Sequence, residues 1–204
     1  MTFNKYQYKD LLVRSKDTYA NTKYQIILDY LKDFKNLHIL NAGFGTGELS
    51  FLLAQKGHKV IGIDPVPEYT KKARENHRKL GVGNCSFNVS AIENYKPKKL
   101  FDCVIATDVL EHIQDDDLAY KKMAGFIKKG GLLILTVPAM QWLYGYHDRS
   151  LDHYRRYSIP QLKKIASKYC NIEQIRYFGF SLIPVCLLYS KILQKPYPIA
   201  KSSD

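Results

Sequence analysis

The chain is poor in residues that staple small folds together. Its four cysteines, Cys85, Cys103, Cys170 and Cys186, are scattered and form no C-x-x-C pair. That spacing excludes a disulfide framework and a cysteine-built zinc site, and it makes Cys85 and Cys103 buried free thiols. Long apolar runs are missing too. The stretch Phe178–Leu188 is too short to span a bilayer and is interrupted by Pro184. The first residues, Met-Thr-Phe-Asn-Lys-Tyr, lack the apolar segment of a leader peptide, so a cytoplasmic location is expected. Acids are scarce, 19 against 31 lysines and arginines, for a formal net charge of +12. The bases spread over helix-like segments, for example Lys71, Lys72, Arg74, Arg78 and Lys79. Solvated helix faces explain them; the sharper reading is attraction to a polyanion or an anionic membrane. No recognised nucleic-acid-binding motif supports the RNA version. There is no internal repeat and no low-complexity segment.

What is present is concentrated in His38–Phe51, read His-Ile-Leu-Asn-Ala-Gly-Phe-Gly-Thr-Gly-Glu-Leu-Ser-Phe. A short apolar run enters a turn with Gly43, Gly45 and Gly47, and the turn opens into a helix-like segment. A second apolar run, Lys59–Asp64, ends on an acid. Strand, glycine turn, helix, strand and carboxylate in that order describe a site for an adenosine-containing cofactor. The spacing narrows the cofactor further. A G-x-G-x-x-G fingerprint would need its third glycine at Glu48, and an anion there opposes a docked pyrophosphate. A G-x-x-x-x-G-K-[ST] phosphate loop is also missing. Both absences favour a cofactor without phosphates.

A chain of 204 residues suits one domain with short extensions. Apolar residues at Tyr24, Ile27, Leu28, Leu31 and Phe34 have a helical period and predict a helix over 21–34. Strands are expected at 37–41, 59–64, 85–89, 100–107 and 132–137, with a sixth at 172–180. Helices are expected at 48–56, 68–80, 118–127 and 158–169. The last of these is announced by Ser158 and Pro160. This alternation predicts a mostly parallel sheet with right-handed crossovers and helices on both faces.

The residues Leu40–Gly47, Ile61–Asp64, Phe101–His112, Lys129–Pro138 and His153–Tyr157 together resemble the class I S-adenosylmethionine-dependent methyltransferases. The resemblance covers roughly Leu37 to Phe180. The Val-Leu-Glu-His segment and the Gly-Gly strand look most like the subgroup with ubiquinone and small-molecule O-methyltransferases. His-Tyr-Arg-Arg-Tyr is similar to methyltransferases that accompany glycan and lipid biosynthesis. The family implies a doubly wound, Rossmann-like sheet of six or seven strands with an antiparallel strand near one edge. It divides the chain into a covering helical segment (1–36), a cofactor-binding domain (37–180) and an apolar extension (181–204). That extension is expected as a last strand or as an apolar helix, Val185–Leu193, edged by Lys191 and Lys195 and resting on a membrane.

By this resemblance the cofactor, S-adenosylmethionine, is held by Asn41, Ala42, Gly43, Gly45 and Gly47. Asp64 and Pro65 lie at the ribose, and Ser90, Ala91 and Ile92 at the adenine. Thr107, Asp108, Val109 and His112 lie at the methionine end. The family usually has an acid at Asn41, and Asp108 is the favoured partner for the ammonium in its place. A hydroxyl acceptor needs a base, and the candidates are His112, His147 and His153. Tyr146, Arg155, Arg156 and Tyr157 are expected at the acceptor, with the arginines alternatively paired to Asp148 or Asp152. The spacing from His147 to His153 is not that of a metal pair, and no metal is expected.

The resulting expectation is methyl transfer to a hydroxyl or amine of a small-molecule, sugar or lipid-linked acceptor. Peripheral membrane contact through the C-terminal segment goes with the lipid version. An RNA methyltransferase is the first alternative, and the absence of an Asn-Pro-Pro-Tyr-type motif after strand four counts against it. A non-catalytic binding protein of the same fold, suggested by Asn41 and Ser90, is the second. A nucleotide-dependent oxidoreductase is the third, opposed by the glycine spacing.

Overall fold

The computed structural model describes residues 17–197. Helix α1 (Thr18–Leu31) starts at Asp17, whose carboxylate accepts from the Tyr19 amide at 2.8 Å and so satisfies a first-turn donor. Then follow β1 (His38–Ala42), α2 (Glu48–Gln55), β2 (Lys59–Asp64), α3 (Pro67–Leu80), β3 (Cys85–Val89) and β4 (Phe101–Thr107). A 3₁₀ turn (Leu110–His112) leads to α4 (Asp116–Gly125) and β5 (Ile127–Thr136). The loop beyond β5 contains a 3₁₀ turn (Gln141–Leu143) and the short helix α5 (Tyr146–Ser150) before α6 (Ile159–Ala166).

The five strands are all parallel, in the order β3-β2-β1-β4-β5. Side chains alternate across the pleat. Ile39, Cys103 and Ile105 face Ile27 and Leu31 of α1 and Leu49 and Leu53 of α2. Leu40, Val104 and Ala106 face the other way, into a cluster with Tyr120 and Met123 of α4 and with Leu162 of α6. Both faces are therefore covered, as parallel sheets require. Burying each large aliphatic side chain contributes about 1.5–3 kcal/mol, which makes this sandwich the main source of stability.

The strand count corrects the expectation of six or seven. Among the described residues 172–180 form no strand, and no antiparallel strand lies at the edge. Side-chain anchors explain the difference. Phe178 stacks on Tyr19 with ring centroids 5.2 Å apart, Glu173 accepts from the Tyr30 hydroxyl at 2.6 Å, and the Tyr177 hydroxyl accepts from the Ile159 amide. These contacts tie the segment to α1 and α6, and a cavity lies between it and β5. Beyond it come a 3₁₀ turn (Phe180–Leu182), α7 (Ile183–Cys186) and a π-helical turn (Leu187–Ile192). Among the described residues the extension is thus helical, not a last strand. No helix among them is long and apolar enough to cross a membrane. Residues 1–16 of the expected covering segment and 198–204 of the extension lie outside the described residues.

Candidate active site

The strand ends converge on one cavity of about 1330 Å³. That exceeds the roughly 300–1,000 Å³ usual for one small ligand, so it has room for two reactants. At its β1–β2 end the backbone does the shaping. Gly43, Gly45 and Gly47 all have positive φ (71°, 57° and 99°). A Cβ on Gly43 would lie 2.3 Å from Val109 Cγ2, so the loop can run this close to the β4 end only as glycine. The Asp64 carboxylate, 4% exposed, accepts from the Gly45 amide at 3.2 Å and from the Val66 amide at 2.9 Å. Burial pushes its pKa up to about 6, against the pull of those two amides. Each oxygen keeps a further lone pair for a ligand hydroxyl. Pro65, Ser90, Ala91 and Ile92 continue the wall. The Ser90 hydroxyl is turned to its neighbour, the Ala91 carbonyl, at 3.0 Å.

Asn41, Ala42 and Gly47 lie behind this wall. Asn41 is buried and donates Nδ2–H to Ser50 Oγ at 2.8 Å, tying β1 to α2, while its Oδ1 has no partner among the described residues. Ala42 packs in the sheet core, and Gly47 is the N-cap of α2.

At the β4 end Asp108 adopts the left-handed region, with φ 54°. This conformation is costly for a non-glycine residue and is held here from both sides. The Asp108 amide donates to the Thr136 carbonyl and its Oδ1 accepts from Thr136 Oγ1. Its Oδ2 is ion-paired with Lys23 of α1, whose side chain is only 3% exposed. Sequence reasoning missed Lys23; the signal available was a lone lysine on the apolar stripe of α1, beside Ala20, Tyr24 and Ile27.

The loop beyond β5 closes the remaining side. Asp148, fully buried, accepts from Arg156 Nε at 2.7 Å and from the Gly145 amide at 2.9 Å, and pairs with His153 Nδ1 at 3.1 Å. Burial alone would raise its pKa, but the His153 and Arg156 hydrogen bonds and the Arg156 charge hold it down at about 2. His153 packs edge-on against His112, with centroids 4.6 Å apart. Donor atoms of Glu111, His112 and His153 all lie within 4.8 Å of one another. His147 stands outside that group. Its Nδ1 accepts from the Tyr197 amide, its ring stacks on Tyr197, and burial lowers its pKa to about 4, so it is neutral near pH 7.

The residues expected at the acceptor separate. Arg156 lines the cavity but is paired with Asp148. Arg155 turns away to Asp116, at 2.7 Å, and to the Gln114 carbonyl. Tyr157 reaches the cavity wall with its hydroxyl donating to Asp116, and Tyr146 lies on the outer surface.

Glycine turn, buried Asp64 and the His112–His153 pair thus share one cavity, and comparison with known proteins agrees on the family. A methyltransferase-domain family matches residues 33–177. The chain belongs to that family.

The domain is similar to a ubiquinone biosynthesis O-methyltransferase of Pelagibacter ubique, 29% identical over 128 residues, which are 63% of this chain and 47% of the relative. The enzyme of the same name from Xanthomonas axonopodis is 33% identical over 100 residues, 48% and 41% of the two chains. The chain spans about half the length of the curated relatives it matches. Among solved structures, the methyltransferase domain resembles YcgJ from Bacillus subtilis with a TM-score of 0.66 at 20% identity, covering 73% and 68% of the two chains. It resembles the magnesium protoporphyrin IX methyltransferase of Synechocystis, solved with bound S-adenosylmethionine, with a TM-score of 0.61 at 22% identity, covering 83% and 74%. These likenesses extend to the fold.

Proposed function

We propose that this domain moves a methyl group from S-adenosylmethionine to a hydroxyl of a small-molecule acceptor, the chemistry named for its ubiquinone-pathway relatives. The observation that carries the reading is the continuous cavity joining Asp64 and the glycine turn to the His112–His153 pair.

The site fits the cofactor. The glycine turn leaves a cradle that a Cβ at Gly43 would fill, and Asp64 offers lone pairs suited to two ribose hydroxyls. Asp108 and Lys23 are matched to the ammonium and the carboxylate of the methionine end, so their ion pair is replaced by two. When bound, S-adenosylmethionine supplies a methyl group on a sulfonium, so the protein's share is alignment and exclusion of water. His153 is the base for the acceptor hydroxyl, with Asp148 fixing its ring through Nδ1 and leaving Nε2 for the proton. His112 packs against it and keeps it in place.

Toward β5 the cavity wall turns apolar, with Leu133, Leu135, Ile175, Phe178 and Val185. This end suits a hydrophobic tail on the acceptor, the lipid-linked version of the substrate. Leu188, Ile192 and Leu193, exposed beside Lys191 and Lys195, then present an apolar and basic face to a membrane surface.

The test is calorimetric titration with S-adenosylhomocysteine, with NAD in parallel, followed by mass-spectrometric screening of phenolic, sugar and prenylated hydroxyl acceptors. Micromolar binding of the homocysteine compound alone, with a mass gain of one methyl on an acceptor, is the expected result. Binding of NAD instead would end the reading.

A further inference from the structure

Glu111 has no place in the roles above, yet it is as fully enclosed as Asp148. It is 0% exposed, and neither carboxylate oxygen meets a hydrogen-bond partner on another described residue. Other buried charges around the cavity are matched: Lys23 with Asp108, Arg156 with Asp148, Asp64 with two amides. A buried carboxyl left unpaired costs stability, so the position asks for a reason.

Its surroundings are specific. The 3₁₀ turn after β4 places Glu111, and the Glu111 carbonyl accepts from the Tyr154 amide at 2.8 Å, fastening the turn to the His153 loop. The groups that face it are Lys23 from α1, Asp108 from the end of β4, Asp148 from α5, Tyr157, and the rings of His112 and His153. Burial pushes the Glu111 carboxyl well above the ordinary range, and Asp108 pushes the same way; its own backbone amide and Lys23 pull in the other direction, and Asp148 adds a smaller upward push. These surroundings favour the neutral, protonated carboxyl.

We propose that Glu111 holds a proton that is exchanged against the charge of the cofactor: released when the sulfonium form binds, and replaced by the acceptor's proton during transfer. This rests on the reading given under Proposed function. A fixed cation entering a water-poor cavity favours ionisation of a nearby unpaired carboxyl. Forming the O–C bond then breaks the S–C bond, whose electron pair stays on sulfur. The acceptor's O–H proton passes to His153 and from it to the Glu111 carboxylate. A sulfonium and a carboxylate become a thioether and a carboxyl, so the charge of the site is unchanged across the step. Glu111 acts through His153 and does not touch the reacting atoms.

The cationic and neutral forms of the cofactor should therefore differ in their response to pH. Affinity of the purified protein for S-adenosylmethionine and S-adenosylhomocysteine is measured by calorimetry from about pH 5.5 to about pH 7.5, below the titration of the cofactor amine. In the natural protein, affinity for the sulfonium compound should rise with pH, by up to about tenfold per pH unit, more steeply than affinity for the homocysteine compound. Glu111→Gln should remove the difference in slope while still binding both. Equal slopes in the natural protein overturn the proposal without any variant being needed, and so does a difference that persists in Glu111→Gln. A slope that responds to EDTA or added magnesium would make the cluster a cation site and equally overturn it. If neither compound binds at any pH, the methyltransferase reading falls and this inference with it.

Discussion

The cavity has two ends built by different means. At the β1–β2 end the wall is backbone: two glycines of positive φ, Gly43 and Gly45, and an acid clamped by amides only two and nineteen residues away. At the β4–β5 end it is a mesh of side chains from distant parts of the chain: Lys23 on Asp108, 85 residues away, and Arg156, Asp148 and His153 gathered against Glu111 and His112. In the proposed reaction the first end meets the constant part, the cofactor. The second concentrates unusual electrostatics, which is where chemistry and acceptor choice belong.

The sharpest way to break the comparison is Asp148→Asn. It leaves a buried Arg156 without its carboxylate and should cost about 3–5 kcal/mol in denaturant unfolding. The sign with pH is definite. Because the folded pKa of Asp148 is depressed to about 2, its contribution is present above about pH 4 and lost as pH falls toward 2. The variant should therefore show a flatter acid limb. A loss below about 1 kcal/mol would mean that the side-chain end is not held by this network.

Asp64→Ala comes next, and it probes the backbone end. Two acceptors for ribose hydroxyls go, and S-adenosylhomocysteine should bind on the order of 100-fold more weakly or worse by calorimetry. In the natural protein the same affinity should weaken as pH falls below about 6, where the carboxyl of Asp64 takes up a proton and loses acceptor capacity.

Lys23→Met should weaken S-adenosylhomocysteine by roughly 10- to 100-fold. It should barely change binding of methylthioadenosine, which lacks the amino acid group. Equal losses for both ligands would make Lys23 a packing residue.

The smallest effect is expected from Glu111→Gln on stability. The folded pKa of Glu111 lies above its unfolded value, so the cost of keeping it buried is smallest below about pH 4 and grows as pH rises. The natural protein should lose thermal stability through this group as pH rises above about 4, and the variant should lose less. Identical pH profiles of Tm would remove Glu111 as a titrating group.

How much could be read in advance follows the same division. Strands 59–64 and 85–89 were legible to the residue, because apolar runs between turn signals are local statements. The pairing of Arg156 with Asp148 was legible as an alternative, since eight residues separate the two. The sixth strand was not. The apolar content of 172–180 permits a strand, and only the anchors on Tyr19, Tyr30 and Ile159 show that those side chains are committed elsewhere. His147 and His153 read alike in the sequence, and only the fold shows that Tyr197 stacks on the first and Asp148 holds the second.

Taken alone, the sequence determined the layered parallel sheet, the glycine turn and the acid that follows it, because these rest on periodicity and on spacing within some twenty-five residues; the family was legible only as a resemblance spread over residues 37–180. The tertiary structure decided that Lys23 pairs with Asp108, that Asp148 holds the His153 ring through Nδ1, and that Glu111 is enclosed with no partner among the described residues. Each of these depends on the side chains that folding brings together, and burial strengthens charge interactions in ways that composition cannot express.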